Sequence, residues 1–137
     1  RDTAYTLTIT GIKGYDGPPL TVSVPFKTGK GFFIGKMAYA NQEGALDTMA
    51  PGPVKTVLSG VAYDNMPHSV VCMMVLFEKD TNRMVAADLE TIEVGSAYQN
   101  YEVSLTVPAD AENYYIETYL WDGLDSIGSL QDKAVLR

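Results

Sequence analysis

The stretch Tyr114-Tyr115-Ile116-Glu117-Thr118-Tyr119-Leu120-Trp121-Asp122 decides how this chain is read. Its period of two predicts a half-buried β-strand. Tyr114, Ile116, Thr118 and Leu120 share one side, and Tyr115, Glu117, Tyr119 and the single tryptophan, Trp121, share the other. One side must face a core. The other then carries a row of rings and a carboxylate that is either covered by more protein or offered to a ligand. For Trp121 burial is the favoured reading, because a two-sheet protein has two inner faces to fill.

Working outward, the same alternation recurs. Tyr5, Leu7 and Ile9 alternate with Thr6, Thr8 and Thr10, and Leu20, Val22, Val24 and Phe26 alternate with Thr21 and Ser23. Residues 32–40, 54–63 and 83–94 are further strand candidates. Residues 70–77 are apolar on both faces, as in a central strand covered on each side. Residues 101–107 alternate most cleanly, and 134–136 form a last short strand. Gly14-Tyr15-Asp16-Gly17-Pro18-Pro19 is a turn cluster. Residues 41–53 lack periodicity and are expected to be a long loop with one helical turn at 43–48, and loops of that length are often functional. Seven to nine short strands without an amphipathic helix predict an all-β fold: an antiparallel two-sheet sandwich, immunoglobulin-like or jelly-roll-like.

A chain of 137 residues with 46% apolar residues suits one domain, so residues 1–137 are expected to form a single β-sandwich module. The opening Arg1-Asp2-Thr3-Ala4 moves straight into a strand pattern, and the module is read as excised from a larger protein. A formal charge of −7 argues against nucleic acid and against an anionic membrane surface as partners. No apolar run approaches the ~18 residues of a membrane span. The single Cys72 sits in an apolar run and reads as a small buried hydrophobe.

Residues 75–80 (Val-Leu-Phe-Glu-Lys-Asp), Arg83-Met84-Val85, 101–107 and 115–124 resemble an immunoglobulin-like module. That module is appended to extracellular polysaccharide-acting enzymes and surface proteins of Gram-positive anaerobes. Its last strand typically ends Phe-Leu-Trp-Asp, a slot filled here by Tyr119-Leu120-Trp121-Asp122. The chain departs from it at Ile127-Gly128-Ser129-Leu130, where the family carries Lys-Pro-Leu. The resemblance covers about the C-terminal half. It implies a sandwich and an extracellular or cell-surface location.

Catalysis finds little support in the residues. His68 is the only histidine, so any Ser-His-Asp or Cys-His device must use it, and it reads more simply as a turn residue. Glu117, Asp122 and Asp125 could line a cleft, yet a lone small sandwich rarely encloses a sugar between an acid and a base. Gly29-Lys30-Gly31 and Gly35-Lys36 lack the spacing of a phosphate loop. Residue counts exclude a Cys/His metal site. A structural calcium on Asp122 with Asp125, or Asp80 with Asn82, is the alternative to ordinary turn chemistry.

Aromatics are the signal above background, with nine tyrosines. Tyr15, Tyr63 and Tyr98 fall in turns or loops. Sugars present an apolar face and a hydroxyl rim, so their sites pair flat rings with polar side chains. The expected site is therefore Trp121, Tyr119 and Glu117, with Tyr63 and Asp64, and no catalytic or metal-binding residues. The expected role is a monomeric, non-catalytic carbohydrate-binding module that holds a tethered catalytic domain against a polysaccharide. For an acidic polysaccharide, Lys27, Lys30 and Lys36 would matter more than the rings. The rivals are a structural spacer and a protein-docking domain.

Overall fold

The computed structural model describes residues 4–12, 20–27, 31–64, 66–125 and 127–137. The chain divides into two compact units, Arg1–Gly31 and Phe32–Arg137. The Tyr15 turn cluster and Lys30 lie outside the described residues, as does the side chain of Lys27.

The first unit is a hairpin of β1 (Ala4–Ile12) and β2 (Leu20–Lys27). Its register sets Leu7 opposite Val24 and Ile9 opposite Val22, so these four share one face. All four are exposed. On the other face Thr8 meets Ser23 through their hydroxyls at 3.4 Å.

The second unit is a two-sheet antiparallel sandwich, and the all-β expectation holds. Its strands are β3 (Phe32–Ile34), β4 (Ala38–Asn41), β5 (Gly44–Leu46), β6 (Gly52–Ala62), β7 (His68–Glu78), β8 (Met84–Val94), β9 (Gln99–Val107), β10 (Tyr114–Trp121) and β11 (Ala134–Leu136). One sheet runs β11-β10-β7-β8. In the other, β6 pairs with β9 along one edge and with β3 and β4 along its other edge, and β5 continues from β4. The chain crosses between the sheets after β6, after β8 and after β9.

Two expectations for residues 32–53 are corrected. The strand expected over 32–40 is two strands, β3 and β4, both laid against β6. The helical turn expected over 43–48 is the strand β5, paired back on β4 through a tight turn. The Asn41 side-chain carbonyl accepts the backbone N–H groups of Glu43 and Gly44 at 2.8 and 3.1 Å, and Gly44 takes φ +134°. That carbonyl holds the turn and the positive φ requires glycine, so the chain reverses before a helical turn can close.

The core lies between the sheets and is filled by alternate residues. Val70, Cys72, Met74 and Leu76 of β7 and Ile116 and Leu120 of β10 meet Val54 and Leu58 of β6 and Val103 and Val107 of β9. Each is sealed from solvent. One polar chain crosses this interior. The Tyr39 hydroxyl of β4 donates to Thr118 Oγ1 of β10 at 3.0 Å, and Thr118 Oγ1 lies 2.9 Å from Thr56 Oγ1 of β6. Burial of three hydroxyls is tolerated because each has a partner. Burial first, with the carboxylate of Glu117 contributing, raises the Tyr39 phenol to about 12, so the donor stays protonated.

Candidate functional site

Strand β10 turns Tyr115, Glu117, Tyr119 and Trp121 away from the core, onto the outer face of the four-stranded sheet. The register sets them opposite Phe77, Val75, Met73 and Val71 of β7. Leu120 and Ile116, on the inner side, are the core residues. Burial of Trp121 in the core, the favoured sequence reading, is thus corrected. The indole stands on the outer face, partly exposed. The inner positions opposite β7 are filled by Ile116, Thr118 and Leu120, so period-two alternation leaves Trp121 outside.

Four rings form two pairs along this face. Tyr119 and Trp121 have centroids 5.9 Å apart, tilted by 32°. Phe77 and Tyr115 are stacked at 5.1 Å, with the Tyr115 hydroxyl donating to Asn82 Oδ1 at 3.0 Å. Between the pairs sits Glu117, 8% exposed. The Tyr119 hydroxyl donates to Glu117 Oε2 in a short hydrogen bond. Lys133, just before β11, donates to Glu117 Oε1 at 2.6 Å and sets its ammonium 5.9 Å from the Tyr119 ring centroid. Val71 and Val75, though on the outer side, are only 2% exposed each, so neighbouring side chains already cover the sheet surface. Further apolar groups continue the face, with Leu89 opposite Met73 and Val135 opposite Glu117.

Electrostatics bind this cluster into one unit. Burial alone would raise the Glu117 carboxyl, but the Lys133 and Tyr119 hydrogen bonds and the Lys133 charge outweigh it and hold the carboxyl below its ordinary range. The same hydrogen bond to Glu117, then burial, raises the Tyr119 phenol to about 12. The carboxylate and ammonium neutralise one another, so the platform is polar at one margin without a net charge. Lys133 is the member that sequence reading missed. It lies 16 residues from Glu117 and meets it only because β11 pairs with β10.

Tyr63 and Asp64 occupy a different place. They follow β6 in the other sheet, with the Tyr63 hydroxyl donating to the Phe32 carbonyl at 2.9 Å. Asp64 Oδ1 lies 2.8 Å from His68 Nε2. His68 in turn lies 4.8 Å from the Phe32 ring. Cys72 shares the inner side of β7 with His68 and is sealed in the core, where burial, with Asp88 adding, raises the thiol to about 12. Such a thiol stays uncharged at neutral pH and is not a nucleophile.

The expected turn clusters are engaged locally. Asp122 Oδ1 accepts the Gly128 N–H at 2.9 Å, and a Cβ at residue 128 would stand 2.7 Å from that oxygen, so a side chain there would push the carboxylate aside. Among the described residues no group of three His, Cys, Asp or Glu side chains converges as a metal site. Lys36 is exposed, at the margin of a cleft it shares with Lys133.

Part of the outer face of the second sheet is polar. Lys55 of β6 pairs with Glu102 of β9 at 2.7 Å, and Ser104, Asn41 and Gln42 surround them along a shallow groove of about 370 Å³. None of its lining residues is aromatic. No protein-family model matches the chain, and no curated protein sequence matches it.

Proposed function

We propose that this chain is a non-catalytic carbohydrate-binding module whose platform is the outer face of β10. The observation that carries the reading is the Tyr119–Trp121 pair, partly exposed on that face beside the Glu117–Lys133 pair. Partly exposed rings give an apolar surface for pyranose C–H faces, and the Lys133 ammonium, the more exposed partner of the pair, donates to the hydroxyl rim. Each ring stack contributes on the order of 1 kcal/mol beyond area burial. Weak binding of this kind suffices for a module that tethers a catalytic domain to an insoluble polymer, because tethering raises effective concentration. The resemblance of the C-terminal half to modules of extracellular enzymes and surface proteins supports the same setting. Mutual neutralisation of Glu117 and Lys133 favours a neutral glycan over a uronic-acid polymer.

Native gels cast with a panel of neutral and acidic polysaccharides test this, together with titration of the intrinsic fluorescence of Trp121. Retardation by one neutral glycan class, weakened about tenfold in Trp121→Ala and retained in Lys36→Ala, is the expected result. Absence of retardation by every polymer, or retardation indifferent to Trp121→Ala, overturns it. A salt-sensitive response confined to uronic-acid polymers moves the site to Lys36 and its neighbours.

A further inference from the structure

Within the ring platform, Glu117 is placed least like a group that meets a ligand. Its position on the sheet is flanked by apolar residues, with Val75 of β7 opposite it on one edge and Val135 of β11 on the other. The Glu117 side chain is 11% exposed, against 48% for Lys133. Neither valine can satisfy a carboxylate. Its oxygens are served instead from two residues along, by Tyr119 on β10 and by Lys133 just before β11. Oε1 accepts an N–H of Lys133 at 2.6 Å, and Oε2 accepts the Tyr119 hydroxyl. A carboxylate so covered, with a strong donor on each oxygen, offers little to a sugar hydroxyl.

The two donors are the groups that a glycan meets first. The Tyr119 ring is half of the Tyr119–Trp121 pair, and a hydrogen bond at its far end restrains its swing. Lys133 has a flexible stem, yet its ammonium is pinned 5.9 Å from the centroid of that ring. It spends one of three N–H groups on Glu117 and, as the exposed partner, turns the rest toward the rim. Ordering both groups before binding lowers the entropy that binding costs. Charge adds a second effect. Alone, Lys133 would be a cation beside the rings and would attract uronic acids. Glu117 cancels it at contact distance, where salt screens little. Other groups leave this balance in place: Arg137 brings further positive charge to Glu117, and Tyr115 and Tyr119 are its titratable neighbours on β10.

We infer that Glu117 is the positioning and specificity-determining residue of the platform: it touches no glycan, it sets the Tyr119 ring and the Lys133 ammonium for one, and by cancelling the Lys133 charge it keeps acidic polymers off. This role rests on the glycan reading of the ring face. Protonation of Glu117 undoes both effects together. The carboxyl is held below its ordinary range, so neutral glycan is released only as pH falls through that lowered value.

Affinity gels cast with hydroxyethylcellulose, glucomannan or xyloglucan, and with polygalacturonate, test this. Glu117→Gln keeps the volume and removes the charge. It is expected to weaken retention by the neutral polymer about tenfold and to create a salt-sensitive retardation in polygalacturonate, which Lys133→Met then abolishes in the double variant. Trp121 reports the arrangement without any glycan, because an ionised Tyr119 beside it quenches its emission. Quenching is expected at about 12 in the wild type. In Glu117→Gln it should move toward the ordinary phenol value of about 10. With the wild type retarded, an unmoved quenching pH, neutral retention within about twofold in Glu117→Gln, or no polygalacturonate response overturns this inference alone. A wild type retarded by no neutral polymer overturns the glycan reading and this role with it. Should Glu117→Gln not fold, the wild type decides: retention lost below the ordinary carboxylate range, in a chain still folded by circular dichroism, supports the role, and retention unchanged down to unfolding overturns it.

Discussion

The two outer faces of the sandwich differ in the side chains they carry. Strand β9 alternates apolar-in and polar-out, and the outer face of its sheet sets Lys55, Glu102 and Ser104 beside Pro53 and Val57. Strands β7 and β10 also alternate, but their outer positions are Val71, Met73, Val75 and Phe77 against Tyr115, Glu117, Tyr119 and Trp121. A sheet face needs no apolar residues on its solvent side to fold. Here the rings lie over Val71 and Val75 and cover them, and it is on these rings that the proposed platform rests. The difference separates what the fold requires from what the molecule adds to it.

Breaking the inner side is expected to have the largest effect. Leu120→Ala, one residue from Trp121 but sealed in the core, should lower stability by about 2–5 kcal/mol in denaturant melts, through lost burial and a residual cavity. Next comes Thr118→Val, which strips the partner from the Tyr39 and Thr56 hydroxyls. A loss of about 1–3 kcal/mol is expected, and Tyr39→Phe should restore part of it in the double variant.

On the outer faces the readout shifts from stability to binding. Trp121→Ala should weaken glycan retention about tenfold while Lys55→Ala leaves it unchanged, in gels run side by side. Equal effects from the two would erase the contrast between the faces. Glu117 sharpens the contrast through pH. Its carboxyl is held below the ordinary carboxylate range in the folded chain, so its contribution is complete above that range and fades as pH falls through the lowered value. In Lys133→Met only the Tyr119 hydrogen bond and the Arg137 charge still offset the burial of Glu117, so its carboxyl rises and acid unfolding followed by circular dichroism should begin at higher pH. The smallest effect belongs to the polar face. Lys55→Ala should cost under about 1 kcal/mol, and salt should remove even that, because the Lys55–Glu102 pair is well exposed.

Legibility followed the range of the interaction that fixes each element. Alternation over 101–107 and 114–121 is local, and both strands appear where the residues place them. The same alternation separated Trp121 from Leu120, but which side faces inward depends on β7, which is apolar on both sides and so gives no local signal. Residues 44–46 were not legible as a strand, because three residues with glycine and alanine carry no period. Nor was Lys133, whose meeting with Glu117 depends on a register set by Ile116–Leu136 pairing. Tyr63 and Asp64 looked like additions to the ring site on composition alone. Placement at the end of β6 gives them local partners, Phe32 and His68, instead.

The hydroxyl chain through Tyr39, Thr118 and Thr56 has a mechanical meaning. It joins β4 and β6 of one sheet to β10 of the other at a single interior point, in surroundings that supply no substitute partners. Apolar layers by themselves could slide by a rung at modest cost, whereas here a slip strands three polar groups away from water. The two sheets are thereby keyed to one alignment, and the ring platform on one sheet keeps a fixed bearing relative to the other.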